Sequence, residues 1–152
     1  MRFLPTEPNV LSPSEVEELV VRLAELVRDE PVVLLYLHGA HARGTQSALS
    51  DIDIAVLFES AVARDTRFEL EFLAALQAVC GRDDVDLVNL NTAGSIIKDR
   101  VVRHGRAVYA RSERDRVSFE AAAIKEALDF GYFSRIYDEA LFRQLAEGRF
   151  LD

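Results

Sequence analysis

His38-Gly39-Ala40-His41-Ala42-Arg43-Gly44, followed a few residues later by Ser50-Asp51-Ile52-Asp53-Ile54-Ala55-Val56, is the stretch on which this chain turns. Ahead of it stands Val32-Val33-Leu34-Leu35-Tyr36-Leu37, an unbroken apolar run of strand length, as expected of a strand covered on both faces. Gly39 lets the backbone bend sharply and leaves room for a ligand close to the main chain. A short helix opening there aims N–H groups at an anion, phosphate above all. Arg43 adds a cation with bidentate geometry for phosphate.

The second strand supplies the opposite charge. Asp51 and Asp53 are two apart, so they share one strand face at about 6.8 Å along the chain. Ile52, Ile54, Val56 and Phe58 take the other face, toward the core. Two unit charges of one sign repel by roughly 4 kcal/mol at about 4 Å and an effective dielectric near 20. A divalent cation relieves that repulsion, and an oxygen-only site suits magnesium shared with substrate phosphates.

Gly39-Ala40, then ten residues, then Asp51-Ile52-Asp53 resembles the GS-x10-DxD signature of the DNA polymerase beta-like nucleotidyltransferases. The fuller text, Gly39 to Gly44 with Ser50 to Ile54, is most similar to the minimal nucleotidyltransferases, the MntA-like antitoxins paired with HEPN toxins. One position departs from the pattern: the family's serine is Ala40 here. The resemblance implies a third carboxylate on a neighbouring strand, for which Asp86 in Asp84-Val85-Asp86-Leu87-Val88-Asn89-Leu90 fits, with Asp84 as its competitor. Asp86 is preferred because it lies inside the strand rather than at its entry. Asp51, Asp53 and Asp86 are thus the expected catalytic and metal-binding set, and Gly39, Ala40, Arg43 and Ser50 the nucleotide-binding set. The implied activity is transfer of AMP from ATP, with Mg2+ or Mn2+, to a tyrosine hydroxyl of a HEPN ribonuclease toxin held in a hetero-oligomer. Two alternatives stand beside it: an antitoxin that neutralises by contact alone, and a small-molecule nucleotidyltransferase of the aminoglycoside-modifying kind.

At 152 residues the chain is of single-domain size, long enough to bury roughly 68–70% of its unfolded surface. Eighteen basic against twenty-six acidic residues leave a net charge of −8, which opposes direct binding to DNA or RNA. No run reaches the ~20 apolar residues of a membrane span, and Met1 to Val10 lacks a signal peptide's apolar segment, so a cytoplasmic protein is expected. The single cysteine, Cys80, excludes an internal disulfide and reads as the buried end of a helix.

Residues 1–11 read as an arm. Ser12, Pro13 and Glu15 then open a helix, with Val16, Leu19, Val20, Leu23, Leu26 and Val27 as its core stripe. Asp65 caps a helix through Cys80 that Gly81 ends, and residues 84–90 form a third strand. Asn91 or Thr92 is expected to cap a further helix through His104, whose Lys98, Arg100, Arg103 and His104 suit the negative end of its dipole, with contact to phosphates as the alternative. Arg106–Ala110 is a fourth strand, and residues 112–152 form a long helical segment, Ser112 opening it, with a kink near Gly131. His38 and His41 are taken as non-ligands, His41 on the surface. The fold expected is α/β (α+β), a small mixed sheet flanked by helices with a long C-terminal helical tail, and the resemblance implies the nucleotidyltransferase topology.

Overall fold

Six apolar residues in succession place β1 (Val32–His38) inside the sheet, and all six are buried. The computed structural model describes residues 11–43, the backbone alone at Arg43, and residues 51–148. Around β1 the chain runs α1 (Pro13–Val27), β1, α2 (Ala40–Arg43), β2 (Ile52–Phe58), α3 (Thr66–Cys80), β3 (Val85–Asn89), α4 (Ser95–His104), β4 (Arg106–Ala110) and α5 (Glu113–Ala146). The strand order is β3-β2-β1-β4. Both neighbours of β1 run antiparallel to it, while β2 and β3 are parallel, so the sheet is mixed as expected.

Each face of the sheet has its own apolar layer. Leu35 and Leu37 of β1 with Ile52, Ile54, Val56 and Phe58 of β2 pack against Val16, Leu19, Leu23 and Val27 of α1 and Phe72 and Leu76 of α3. Leu34, Tyr36 and Ala55 turn the other way, toward Leu90, Val101 of α4 and Phe119 of α5. The helix ends follow their side chains. The Ser12 hydroxyl accepts the Glu15 N–H at 3.2 Å, and the Asp65 carboxylate accepts that of Phe68 at 3.1 Å. Each such cap contributes about 1 kcal/mol. Gly81 closes α3 in the left-handed region at φ 65°, which only glycine takes without strain.

Two local expectations fail. The N-cap of α4 is Gly94, with no side-chain cap bond, rather than Asn91 or Thr92. Asn91 instead latches the end of β2: its Oδ1 accepts the Phe58 N–H at 2.9 Å and its Nδ2 donates to the Phe58 carbonyl at 3.0 Å. Nor does Gly131 interrupt α5, a single helix of 34 residues, about 51 Å long. Its first half is anchored, with Ala123 buried, Tyr36 Oη donating to Glu120 at 2.9 Å and Lys98 paired with Glu126 at 2.7 Å. Beyond that, Leu128, Phe130, Tyr132, Phe133, Ile136, Tyr137, Phe142 and Leu145 are all exposed. Among the described residues no helix is long and apolar enough to cross a membrane.

Candidate active site

The strand register assembles the site. His38, the last residue of β1, pairs with Asp53 of β2, and Asp53 pairs with Asp86 of β3. Side chains of direct partners leave the sheet on the same face, with strands about 4.8 Å apart, so the three form a row across it. Asp51 lies one residue before β2 and is exposed. The expectation of two aspartates on one strand therefore holds in alternation, although only Asp53 is inside the strand.

Gly39 turns the chain between β1 and α2 at φ 70°, and its Cα is pressed against Asp53: a Cβ there would overlap Oδ2 and lie 3.1 Å from Cγ. Glycine is required at this point twice over, by backbone conformation and by space. Among the described residues, His38, Gly39 and Asp53 form one wall of a cavity of about 450 Å³, and Arg100 and His104 of α4 form the other. Asp86 is exposed, and a separate cleft of about 390 Å³ lies at the edge strand where it, Val85 and Leu87 meet Thr66, Glu69, Leu70 and Leu73 of α3. Asp84 falls outside β3 and is held by Arg82, whose Nε lies 2.6 Å from its Oδ1. That guanidinium keeps the Asp84 carboxyl below the usual carboxylate range. Ala40 opens α2 and is half-buried; Arg43 ends it, but its side chain and Ser50 lie outside the described residues.

Burial pushes the Asp53 carboxyl above its ordinary range, and the carboxylates of Asp86 and Asp51 push the same way against the pull of His38 and His41. Burial likewise holds both His38 and His41 below the ordinary imidazole value. The Nε2 of His38 and both ring nitrogens of His41 are buried without a hydrogen-bond partner among the described residues. His41 is only 4% exposed, which corrects its expected surface position. The four-residue helix α2 is seated on β1 and β2, with His41 on its inner side and Ala40 and Ala42 half-buried.

Among the described residues no three His, Cys, Asp or Glu side chains form a ready metal cage. An oxygen donor set of one or two carboxylates that needs substrate oxygens to complete it is the arrangement magnesium favours. The unrelieved like charge around Asp53 fits a divalent cation at Asp51 and Asp53.

His38 escapes the sequence reading, whereas Arg100 and His104 are read there first as helix-end cations and second as phosphate contacts. His38 shares its strand parity with Tyr36 and Leu34, and Arg100 and His104 are i, i+4 on one helix face. Those signals existed but had no partner in the sequence to read them against.

The family model described as polymerase beta, nucleotidyltransferase, matches residues 22–114. The protein adenylyltransferase MntA of Shewanella oneidensis is 34% identical over 100 residues, which are 63% of this chain and 68% of that one. Among solved structures, a toxin–antitoxin crystal structure with AMP-PNP contains a chain 30% identical to this one at a TM-score of 0.66, covering 80% of this chain and 98% of its own. A complex of a tri-AMPylated Shewanella oneidensis HEPN toxin with its MNT antitoxin contains another at 26% identity and a TM-score of 0.63, covering 83% and 98%.

Proposed function

This chain belongs to the polymerase beta nucleotidyltransferase family, and on that premise we propose that it moves AMP from ATP to a tyrosine hydroxyl of a HEPN-type ribonuclease toxin, silencing it. The chain is a nucleotidyltransferase, and its relatives include a protein adenylyltransferase and chains of toxin–antitoxin complexes. The observation that carries the reading is the Asp53–Asp86 register pair with the Gly39 backbone pressed against Asp53, at the wall of a cavity open to a ligand.

In this reading Asp51, Asp53 and Asp86 hold magnesium, which supplies charge neutralisation at the triphosphate when bound. The Gly39 turn and Ala40 bring main chain to the nucleotide, with Arg43 and Ser50 as its further contacts. Asp86, exposed on the edge strand beside Asp53, receives the acceptor proton. The acceptor oxygen bonds to the α-phosphorus as the α-phosphorus bond to its bridging oxygen breaks, and pyrophosphate leaves with that electron pair. Such a transfer rests on positioning and electrostatics, which a rigid strand pair provides. The chain works as one domain in the cytosol, bound to its partner in a hetero-oligomer.

Ala40, standing where the family motif has serine, favours a second reading: an antitoxin that neutralises by contact. Incubating the chain with its partner and MgATP, then weighing the partner intact, separates the two. Mass gains of whole AMP units that vanish with Asp53→Asn support the enzyme. An unmodified partner whose ribonuclease activity is nonetheless blocked overturns it in favour of contact inhibition.

A further inference from the structure

The basic face of α4 divides into two kinds of residue. Lys98 is neutralised by Glu126 at 2.7 Å and Arg103 by Asp99 at 2.7 Å. Arg100 and His104 have no ion pair among the described residues, and both line the cavity opposite His38, Gly39 and Asp53. Their i, i+4 spacing puts them one turn apart on the same helix face. On a chain of net charge −8 this exposed arginine lines a cavity that Asp53 also lines.

From this arrangement we infer that Arg100, assisted by His104, binds the polyphosphate of the nucleotide and makes the site selective for a nucleoside triphosphate over a monophosphate; the inference rests on the nucleotidyl-transfer reading. Arg100 puts a cation on the wall opposite Asp53, where it complements the charge of a polyphosphate lying between the two. A guanidinium does so with two parallel N–H donors that match a phosphate's oxygens, which an ammonium cannot reproduce. Arg100 therefore grips the part of the substrate that departs as pyrophosphate, while the Asp53 side attends to the reacting phosphorus. It is a binding residue whose grip persists into the transition state.

The test is titration of MgATP and of AMP into the full chain, with melting temperature recorded for each variant. Arg100→Ala is expected to weaken MgATP binding about 10- to 100-fold while changing AMP binding less than about threefold. Arg100→Lys should recover part of the loss, and His104→Ala should lose several-fold. Arg103→Ala, on a residue already paired with Asp99, should bind MgATP as the native chain does. In transfer assays Arg100→Ala should raise KM for ATP more than it lowers kcat. If Arg100→Ala binds MgATP within twofold of the native chain while Asp53→Asn does not bind, the Arg100 assignment is wrong and nucleotide binding stands. A native chain that binds no MgATP overturns both together. Because Arg100 is exposed, its truncation leaves no core cavity, and Arg100→Gln serves as a second variant should the alanine form melt early.

Discussion

The Cα of Gly39 sits against the carboxylate of Asp53, so that a methyl group at 39 would overlap Oδ2 and lie 3.1 Å from Cγ. The glycine of the motif is thus a spacer for the aspartate fourteen residues later, as well as a bend in the chain. Gly39→Ala forces a left-handed alanine, at about 1–2 kcal/mol, and displaces the carboxylate. AMP transfer should fall by about 100-fold or more, since misplacement of about 1 Å in a catalytic group has that effect. Urea unfolding measured alongside should show only the modest stability loss. Retention of near-native transfer by Gly39→Ala would mean that Asp53 does not have to stay where it is.

Asp53→Asn should end transfer without weakening the fold. An ionised Asp53 is unfavourable in the folded chain, because burial and then its carboxylate neighbours raise its proton affinity. The sign follows: below the ordinary carboxylate range both folded and unfolded chains carry the proton and nothing is lost, while above the raised folded value the full penalty applies. In chelator at about pH 7, Asp53→Asn should therefore melt at or above the native temperature, and its advantage should shrink as pH falls toward about 4. A variant that melts well below the native chain at neutral pH contradicts this electrostatic picture.

Much of this was legible in the sequence because local rules and the global fold agree. The apolar run at 32–37 marked the central strand, and Ser12, Asp65 and Gly81 marked helix ends with their own hydrogen-bonding chemistry. The alternation around Asp53 gave its core face correctly. What was hidden depends on contacts between distant residues. Asp86 could be placed on a strand, but its pairing with Asp53 is a parallel register that no local pattern encodes. Arg100 reads as an ordinary helix-end cation until α4 is seen across the cavity from Asp53. His41 reads as polar surface until its short helix is seated on the sheet, and Asn91 as a cap until β2 claims it.

The second half of α5 presents apolar side chains that the rest of the described chain does not cover. Phe133 is 67% exposed and Tyr137 70%, one turn apart. An apolar surface of this kind marks an interaction site. Replacing both with serine should weaken binding to the partner at least tenfold, the usual result of losing aromatic anchors, and should leave the melting temperature of the isolated chain unchanged within error. Full co-elution of the double variant with its partner would place the interface elsewhere.

Cys80, at the end of α3, packs partly against the apolar layer, and burial pushes its thiol up to about 11. Such a thiol presents about 100-fold less thiolate at pH 8 than one with an ordinary value. Reaction with a disulfide reagent should accordingly be slow in the native chain and rise steeply above about pH 10, whereas urea-unfolded chain should react at once. Rapid labelling of the native chain at neutral pH would show that the end of α3 opens readily.

Ala40 separates the enzyme from the contact inhibitor. It follows Gly39 at the start of α2, half-buried, where the family motif carries a hydroxyl. A hydrogen bond to a charged phosphate contributes about 1.5–3 kcal/mol, so its absence slows an enzyme by roughly 10- to 150-fold without removing the carboxylates on which the chemistry depends. Ala40→Ser should then tighten MgATP binding or speed transfer several-fold, falling short of the full range because the native backbone has not been selected around the added oxygen. Adenylylation of the partner by both proteins, faster with serine, is the outcome expected of a working enzyme with one contact missing. If neither protein modifies the partner and both still block its ribonuclease activity, the carboxylate row is a relic and inhibition is by contact. If neither modifies nor inhibits it, the acceptor is a small molecule, whose hydroxyl should be sought against the Asp53–Asp86 pair.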